Sequence, residues 1–454
     1  MNKTLHARHA LLPEGWARDV RITIAGDRIT AIATGVAPVA GDQLTDHLVP
    51  AMCNLHSHAF QRAFSGLTEL RGNPTDNFWT WRDIMYKFAL NVSPDDLQAI
   101  GAQLYMEMIE AGYARVGEFH YVHHDPAGQH YARVSEMAQQ LFAAARHTGL
   151  RMTMLPSFYA HAGFGGLDPV PGQVRFINDL DSFARIVDEC RATAATIPGA
   201  LVGVAPHSLR AVTGPELEAV VAIAGDAPIH IHVSEQTREV EDSIAFSGKR
   251  PVEWLLDHAP VDARWCLIHA THLVPDEIVR LQATGATVGL CPITEANLGD
   301  GIFPGHAFMN EGAGGHVGVG SDSNVRISVS QELSQLEYSQ RLGLRQRNVL
   351  AAGSGSTGQR LFDAAIAGGA RALGVDAGIR LGAEASLTAL DTSGAPWLRE
   401  AHALDGWIFG HGVAVDRVWV GGECLVEGGR HRARDIISAR FAQVMTGLTD
   451  RLQG

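Results

Sequence analysis

Both ends of the chain show alternating apolar and polar residues, the pattern of half-buried β-strands. The segment RITIAGDRITAIA alternates on either side of Gly26, which is typical of a β-hairpin. Residues 387–391 (LTALD) and 416–431 (DRVWVGGECLVEGGRH) repeat the pattern, the latter around a Gly-Gly turn. Each β-rich end is too small to enclose a core alone. We therefore expect one small β-sandwich domain built from both ends, the alternative being two unrelated β-elements.

The long middle of the chain follows a different pattern. Capping patterns mark helix starts at Ser93 and Thr213, and one helix is predicted to end at Gly285. Helix-like stretches follow most of eight apolar, β-leaning runs: LVPAMCNLHSH, YARVGEFHYV, LRMTMLPSFY, ALVGVAPHSL, APIHIHVSE, RWCLIHATH, ATVGLCPITE and HVGVGSDSN. Eight strand–helix repeats are the number in a (β/α)8 barrel. The alternative, a doubly wound open sheet, would need a Gly-rich phosphate loop after its first strand, and the sequence has none there.

These patterns predict an α/β protein in which a (β/α)8 TIM-like barrel interrupts the small β-sandwich domain. The predicted boundaries are residues 1–48 for the N-terminal part of the β-domain, 49–378 for the barrel, and 379–454 for the C-terminal part with a terminal helix. A barrel of this kind places its functional groups at the C-terminal ends of its strands, so the candidate chemistry is expected there.

Composition and charge exclude several classes of protein. With 46% hydrophobic residues and no apolar run approaching the roughly 18 residues of a membrane span, the chain is expected to be soluble. The N-terminus lacks the apolar stretch of a secretory signal. Five scattered cysteines without a C-x-x-C pair fit a reducing cytoplasm. The net charge of −13 argues against nucleic acid or an anionic membrane as a partner.

Metal-capable side chains recur where the apolar runs end. Residues two apart on a strand project from the same face, so the two imidazoles of an H-x-H pair point into the barrel mouth together. Each position alone has an ordinary explanation, such as a turn cap or a loop hydrogen bond. Four separate strand ends in barrel order make coincidence improbable. The residues concerned are His56 and His58 on the first strand, His230, His232 and Glu235 on the fifth, His269 on the sixth and Asp322 on the eighth.

This array resembles the amidohydrolase superfamily of metal-dependent barrel hydrolases, and the resemblance covers essentially the whole chain. It implies one divalent metal ion, zinc or alternatively iron. The implied ligands are His56, His58, His232 and Asp322. Members with two metals use a lysine at the end of a middle strand. The three lysines of this chain fall on no predicted strand end: Lys3, Lys87 and Lys249. A single metal is therefore expected.

The chemistry of such a site follows from its ligands. A metal with one open position lowers the pKa of bound water toward about 7. Asp322 can accept a proton from that water, and His269 can orient it. Glu235 can move a proton onto a departing nitrogen, and subtypes with glutamate at this position resemble hydrolytic deaminases. The alternative for Glu235 is a salt bridge within its loop, with Arg238.

Several hydrogen-bond donors that suit carboxylates follow other strands or lie in the long connection after the first strand. That connection, residues 59–92, is expected to lie over the barrel mouth, where its aromatic residues could also form a packed lid or a dimer contact. Arginine offers a bidentate fork, and tyrosine and histidine add single hydrogen bonds. The alternative is that each arginine pairs with a surface acid. The donors are Arg82, Tyr121, His207 and Arg210.

More specific segments resemble the formiminoglutamate deiminase family. These are NLHSHAFQRA, NPTDNFWTWRDIMY, EFHYVHHD, YAHAGFGG, PHSLRAV, HIHVSEQ, CLIHATH and ITEANLGDGIFP. The resemblance implies hydrolysis of N-formimino-L-glutamate to N-formyl-L-glutamate and ammonia in bacterial histidine breakdown. It implies that Gln61 and Glu235 contact the formimino end. It also implies that the four donors named above hold the carboxylates.

Three other functions compete with this interpretation. One is a deaminase or chlorohydrolase acting on a purine, pyrimidine or triazine ring, whose pocket should favour aromatic stacking over two convergent arginines. Another is a non-catalytic barrel that kept only the fold. A third is metal storage, which fits poorly with an open metal position beside Glu235. We expect a cytoplasmic homodimer that acts on a small dicarboxylate amidine.

Overall fold

A computed structural model of the chain describes residues 3–70 and 76–453. Residues 71–75, which belong to the connection predicted over the barrel mouth, lie outside the described residues, as do residues 1–2 and 454 of the predicted β-domain.

The middle of the chain forms a parallel (β/α)8 barrel, as predicted. Each apolar run of the sequence supplies one strand position, except that the fourth run, ALVGVAPHSL, forms two strands of two residues each. The strands are β5 (Met52–Ser57), β6 (Tyr113–His120), β7 (Arg151–Phe158), β8 (Leu201–Val202), β9 (Ala205–Pro206), β10 (Ile229–Val233), β11 (Trp265–His269), β12 (Thr287–Leu290) and β13 (His316–Val319).

Single β-bridges close the barrel where regular ladders stop. One sheet runs β5-β6-β7-β8, with β9 also on β7, and the other runs β10-β11-β12-β13. Bridges at Val204–Ile229 and Ser208–His232 join the two sheets on one side, and a parallel bridge between Ser57 and Asp322 joins them on the other. The first and eighth strand ends, which carry predicted ligands, therefore lie side by side.

Helices surround the barrel, and the two predicted helix starts and the one predicted helix end are confirmed. Ser93 and Asp96 form a capping box, the Thr213 amide donates to Glu216 Oε2 over 2.7 Å, and Gly285 ends its helix with φ of 71°. The helices are α1 (Phe78–Asn91), α2 (Pro94–Glu110), α3 (Glu136–Thr148), α4 (Leu180–Ala194), α5 (Gly214–Ala224), α6 (Thr237–Ser247), α7 (Pro251–His258), α8 (Pro275–Thr284), α9 (Pro292–Leu298), α10 (Gly305–Asn310), α11 (Val329–Leu344), α12 (Thr357–Ala372), α13 (Ala403–Phe409) and α14 (Arg434–Gln453). Short 3-10 helices cover Ala59–Phe64, Pro171–Gln173 and Glu400–His402.

The strands from the two ends of the chain combine in one eight-stranded sheet, in the order β17-β16-β15-β14-β4-β1-β2-β3. The expected β-sandwich domain is thus one continuous hydrogen-bonded sheet whose strands share a single core, with Leu5, Ile22, Leu387 and Trp419 among its members. The strands are β1 (Lys3–Leu12), β2 (Gly15–Ala25), β3 (Arg28–Ala33), β4 (Gln43–Pro50), β14 (Leu387–Asp391), β15 (Ala414–Val420), β16 (Glu423–Glu427) and β17 (Arg430–His431). The two unrelated β-elements considered as an alternative are excluded.

Within residues 3–70 and 76–453, no helix combines the length and the apolar character needed to cross a bilayer. All five cysteines carry free thiols.

Close packing of α12 on β13 depends on a glycine. A Cβ atom on Gly368 would lie 1.9 Å from the carbonyl oxygen of Val317, which is far closer than the van der Waals contact distance of the two atoms. We expect Gly368→Ala to lower the free energy of unfolding by about 3 kcal/mol, because helix and strand must separate. Gly343→Ala in α11 is the matched control, since its nearest neighbour lies 3.6 Å away. That substitution should be neutral or stabilising by about 0.5–1 kcal/mol. Chemical denaturation checks both, and equal stability of the two variants would contradict the expectation.

Candidate functional site

Four side chains at three barrel strand ends meet at the barrel mouth. One ligand atom from each lies within 4.8 Å of the others, and all four residues are buried. Asp322 Oδ1 lies 3.3 Å from the Nε2 atoms of both His56 and His58. The Nε2 atoms of His56 and His232 are 3.1 Å apart. We call His56, His58, His232 and Asp322 the metal-ligand cluster, because the structure brings together the four residues predicted to bind the metal.

Hydrogen bonds to the backbone fix which nitrogen of two of these rings faces the cluster. His58 Nδ1 donates to the Phe119 carbonyl over 2.8 Å, and His232 Nδ1 donates to the His207 carbonyl over 2.9 Å. Their Nε2 lone pairs therefore point inward. Burial lowers the pKa of His56 well below its usual value, which favours the neutral ring. Inward lone pairs at this separation repel each other unless a cation lies between them, so the donor set fits a divalent metal.

A buried polar network holds the end of the eighth strand in a strained conformation. Asp322 has φ of 45°, in the left-handed region that non-glycine residues rarely adopt. His269, at the end of the sixth strand, is in the same region with φ of 67°. Asn54 Nδ2 donates to Ser321 Oγ over 2.6 Å, and Ser321 Oγ donates to Asn324 Oδ1 over 2.6 Å. This network ties the eighth strand to the first and turns the Asp322 carboxylate toward the histidines.

The predicted acid–base residues lie on one side of the metal-ligand cluster. His269 Nε2 lies 3.7 Å from Glu235 Oε1 and 3.8 Å from Asp322 Oδ2. Burial raises the pKa of Glu235, although His269 and Arg210 oppose the shift. Burial lowers the pKa of His269, but Glu235 and the other nearby carboxylates outweigh burial and raise it to about 10. The site can therefore hold protons close to the cluster, and a bound dication would counter the rise for His269.

The surroundings of Glu235 exclude the loop salt bridge considered for it. Arg238 Nε pairs with Asp242 at 3.7 Å, one turn along α6. Glu235 Oε2 instead lies 3.5 Å from Nη2 of Arg210, whose side chain is 13% exposed. The Glu235 amide donates to Glu239 Oε2 over 3.0 Å, which holds the loop after β10 in place.

The predicted substrate-binding residues line one pocket next to the metal-ligand cluster. Gln61 Nε2 donates to Tyr121 Oη over 2.8 Å. Arg82 has no carboxylate within 4 Å among the described residues, so it is a free cation facing the pocket. The predicted residues in the lining are Gln61, Arg82, Tyr121, His207, Arg210 and Glu235.

Aromatic residues that were not assigned a role contact the pocket arginines or line the pocket. The Trp79 ring lies 4.5 Å from the guanidinium of Arg82 and 5.8 Å from that of Arg210, so it stacks between the two cations. Gln173 Nε2 donates to the hydroxyl of Tyr159 over 2.7 Å, and Tyr159 lines the pocket. Trp79 lies in the motif NPTDNFWTWRDIMY and Tyr159 in the motif YAHAGFGG. The family resemblance therefore included both residues, but their chemistry alone gave no reason to predict a role for them.

One predicted strand-end histidine lies outside the cluster. His230 shares a strand with His232, yet its Nε2 atom lies 2.8 Å from the Ala372 carbonyl oxygen, deep in the barrel. It therefore joins the strand to the end of α12 instead of facing the mouth.

Comparisons of the sequence with known proteins cover both parts of the fold. A family model described as "Amidohydrolase family" matches residues 47–425, and one described as "Formimidoylglutamate deiminase HutF, N-terminal domain" matches residues 2–46. The formimidoylglutamate deiminase of Pseudomonas aeruginosa is 46% identical over 98% of this chain and 99% of its own length. A 5-methylthioadenosine/S-adenosylhomocysteine deaminase of Natronomonas pharaonis is 30% identical over 94% of this chain and 92% of its own.

Solved structures show the same fold. The crystal structure of an amidohydrolase from Brucella melitensis is 54% identical, with a TM-score of 0.96, covering 98% of this chain and 100% of that one. An adenosine deaminase from Xanthomonas campestris with bound zinc is 21% identical, with a TM-score of 0.81, covering 99% and 98%. The second likeness concerns the fold alone.

Proposed function

Because the chain belongs to the amidohydrolase family, we propose that it hydrolyses N-formimino-L-glutamate to N-formyl-L-glutamate and ammonia, the deimination step of histidine degradation. The relative from Pseudomonas aeruginosa is named for this substrate, and the N-terminal residues match a domain of that name. The observation that carries the proposal is the guanidinium pair, Arg82 and Arg210, which lines the same pocket as Glu235 and part of the metal-ligand cluster. A substrate with two carboxylates and one amidine carbon fits this pocket, because the carboxylates can bind the two guanidinium groups while the amidine carbon lies near the metal-ligand cluster.

The pocket would bind the substrate in one orientation. The guanidinium pair, with Tyr121 and His207, would hold the two carboxylates. The formimino end would then lie beside Gln61 and Glu235, next to the metal-ligand cluster. Fixing the reacting carbon in this way supplies a large part of the rate enhancement, because the entropy of alignment is lost on binding and not during the reaction.

The reaction needs one nucleophile and two proton transfers. The metal-ligand cluster would hold one divalent ion, which supplies an acidified water as nucleophile. Asp322 takes a proton from the attacking water, and His269 stabilises charge on the oxygen. Glu235 gives a proton to the nitrogen of the resulting tetrahedral carbon. Asp322 returns its proton to the same nitrogen, and Glu235 recovers a proton from the hydroxyl group on the tetrahedral carbon. The nitrogen thus gains two protons, the C–N bond breaks to release ammonia, the formyl C=O forms, and both carboxyl groups return to their starting states.

We further propose that the metal is zinc and that the chain acts as a cytoplasmic homodimer. Three imidazoles and one carboxylate are typical ligands of zinc, with iron as the alternative. Five free thiols fit a reducing compartment. The terminal sheet and α14 offer surfaces for a dimer contact. Metal analysis of the purified protein and light scattering check the metal and the oligomeric state.

The experiment that tests the proposed function is ammonia release from a panel of compounds by zinc-loaded protein. The panel contains N-formimino-L-glutamate, N-formimino-L-aspartate, guanine and 5-methylthioadenosine. We expect rapid turnover of the glutamate compound alone. Turnover of guanine or 5-methylthioadenosine instead would assign the site to a ring deaminase. A metal-loaded protein that is inactive on the whole panel would refute the assignment.

Arg82→Gln should raise KM for N-formimino-L-glutamate by about 30-fold or more and change kcat only a few-fold. Arg82 lacks an acidic partner among the described residues, so its removal takes away a carboxylate contact and little else. Arg210→Gln should change both constants, because Arg210 also contacts Glu235.

Arg238→Gln is the matched control for the two pocket arginines. Arg238 lies 4.9 Å from the same Trp79 ring but is 63% exposed and outside the pocket lining. We expect its KM to stay within about threefold of the wild type. A similar rise in KM for Arg82→Gln and Arg238→Gln would show that general positive charge at the mouth, and not a clamp, binds the substrate.

A further inference from the structure

Glu295 is a buried acid that none of the steps above uses. It lies in the first turn of α9, directly after the seventh barrel strand, and is 6% exposed. Its Oε1 atom accepts two hydrogen bonds, from the Cys291 amide over 2.9 Å and from His269 Nδ1 over 3.2 Å. The carboxylate thus joins the start of α9 to the histidine of the neighbouring sixth strand.

The contact with Glu295 determines how the imidazole of His269 is presented to the site. A carboxylate oxygen only accepts hydrogen bonds, so Nδ1 of His269 must carry a proton to make this contact. The other nitrogen, Nε2, then faces Glu235 and Asp322 at 3.7 Å and 3.8 Å, and it has no hydrogen-bond partner among the described residues. The backbone of His269 has φ of 67°, in the left-handed region that non-glycine residues rarely adopt.

We propose that Glu295 is a positioning residue that acts through His269: it holds the Nδ1 proton and so aims Nε2 at the reacting oxygen. This proposal rests on the proposed function for its kinetic test. Glu295 itself touches neither the substrate pocket nor the metal-ligand cluster. A carboxylate behind a histidine plays the same part in many metal sites, where its loss typically reduces activity by about 10–100-fold.

The kinetic test compares substitutions of Glu295 alone and combined with His269→Asn. Glu295→Gln keeps an acceptor oxygen but loses the charge, so we expect kcat to fall by about tenfold. Glu295→Ala removes the acceptor, and we expect a fall of about 100-fold with KM within about threefold. In the double variants with His269→Asn, Glu295 substitutions should cost nothing further, because the residue through which they act is gone. Additive losses in the double variants would overturn the proposal.

Glu332→Gln is the matched structural control. Glu332 is fully buried, and its Oε2 accepts from the Ile293 amide over 2.9 Å, so it also holds the first turn of α9 but does not contact His269. We expect this variant to keep kcat within about threefold. An equal loss of kcat for Glu332→Gln and Glu295→Gln would mean that Glu295 only stabilises α9, which contradicts the proposal.

A spectroscopic readout separates this proposal from the substrate assignment. In zinc-loaded protein labelled with ¹⁵N-histidine, the His269 signals are assigned by their absence in His269→Asn. We expect a protonated Nδ1 in the wild type and a changed Nδ1 shift in Glu295→Ala. An unprotonated Nδ1 in the wild type would refute the positioning role. If the wild type fails to hydrolyse N-formimino-L-glutamate, the proposed function fails, and the ¹⁵N spectra alone decide the role of Glu295.

Discussion

Glu235→Gln should lower kcat by about 10³- to 10⁴-fold while leaving the metal content at one ion per chain. Glu235 is the proposed proton donor because it lines the substrate pocket together with three residues of the metal-ligand cluster and lies 3.7 Å from His269. Glutamine has the same shape but cannot transfer a proton. We expect KM to change less than tenfold, because the guanidinium pair still binds the carboxylates. The measurement is steady-state ammonia release together with metal analysis of the same preparation.

Glu239→Gln is the control for Glu235, because it removes a second buried carboxylate four residues away, in the first turn of α6. Glu239 accepts from the amides of Ser234 and Glu235 over 3.1 Å and 3.0 Å, so it supports the loop and does not line the pocket. We expect its kcat to fall by no more than about tenfold. If Glu235→Gln kept more than a tenth of wild-type kcat, Glu235 would not be the proton donor.

The metal-ligand cluster could be predicted from the sequence because the barrel topology brings the C-terminal ends of the strands together. A period of two places His56 and His58 on one face, and parallel strands end at the same rim. Asp322 is far from both in sequence, yet it bridges to Ser57 once the eighth strand closes the barrel. The order of the strands and the residue type at each end predicted an array of metal-capable residues, and the resemblance to the amidohydrolase superfamily selected the four ligands from that array.

Other parts of the site depend on contacts that no local pattern specifies. The Trp79 ring reaches Arg210 because α1 folds over the mouth, and nothing in the segment around Trp79 states where that helix will lie. Glu295 lies within the motif ITEANLGDGIFP, at the start of α9, but its partner His269 is 26 residues away at the end of β11. Sequence periodicity gives the face of an element, whereas these pairings are set by how separate elements pack.

The pair His230 and His232 shows the same limit within a single strand. Both residues are fully or nearly fully buried and point to the same face, so alternation alone cannot separate them. The two residues differ in their depth in the barrel. His232 lies near the rim, with its Nε2 atom 3.1 Å from Nε2 of His56, whereas His230 lies deeper and contacts the Ala372 carbonyl.

This difference in depth leads to opposite expectations for two neighbouring substitutions. His232→Gln should lose the metal and lower kcat by at least about a thousandfold, because three remaining donors hold the ion poorly and the acidified water is lost. His230→Gln should keep one ion per chain and kcat within about fivefold, since a glutamine amide can also donate to the Ala372 carbonyl. Loss of metal from His230→Gln but not from His232→Gln would exchange their roles.

Chelation of the wild type should leave less than about 1% of its activity, and one equivalent of zinc should restore it. Full activity after verified metal removal would exclude a metal from the reaction.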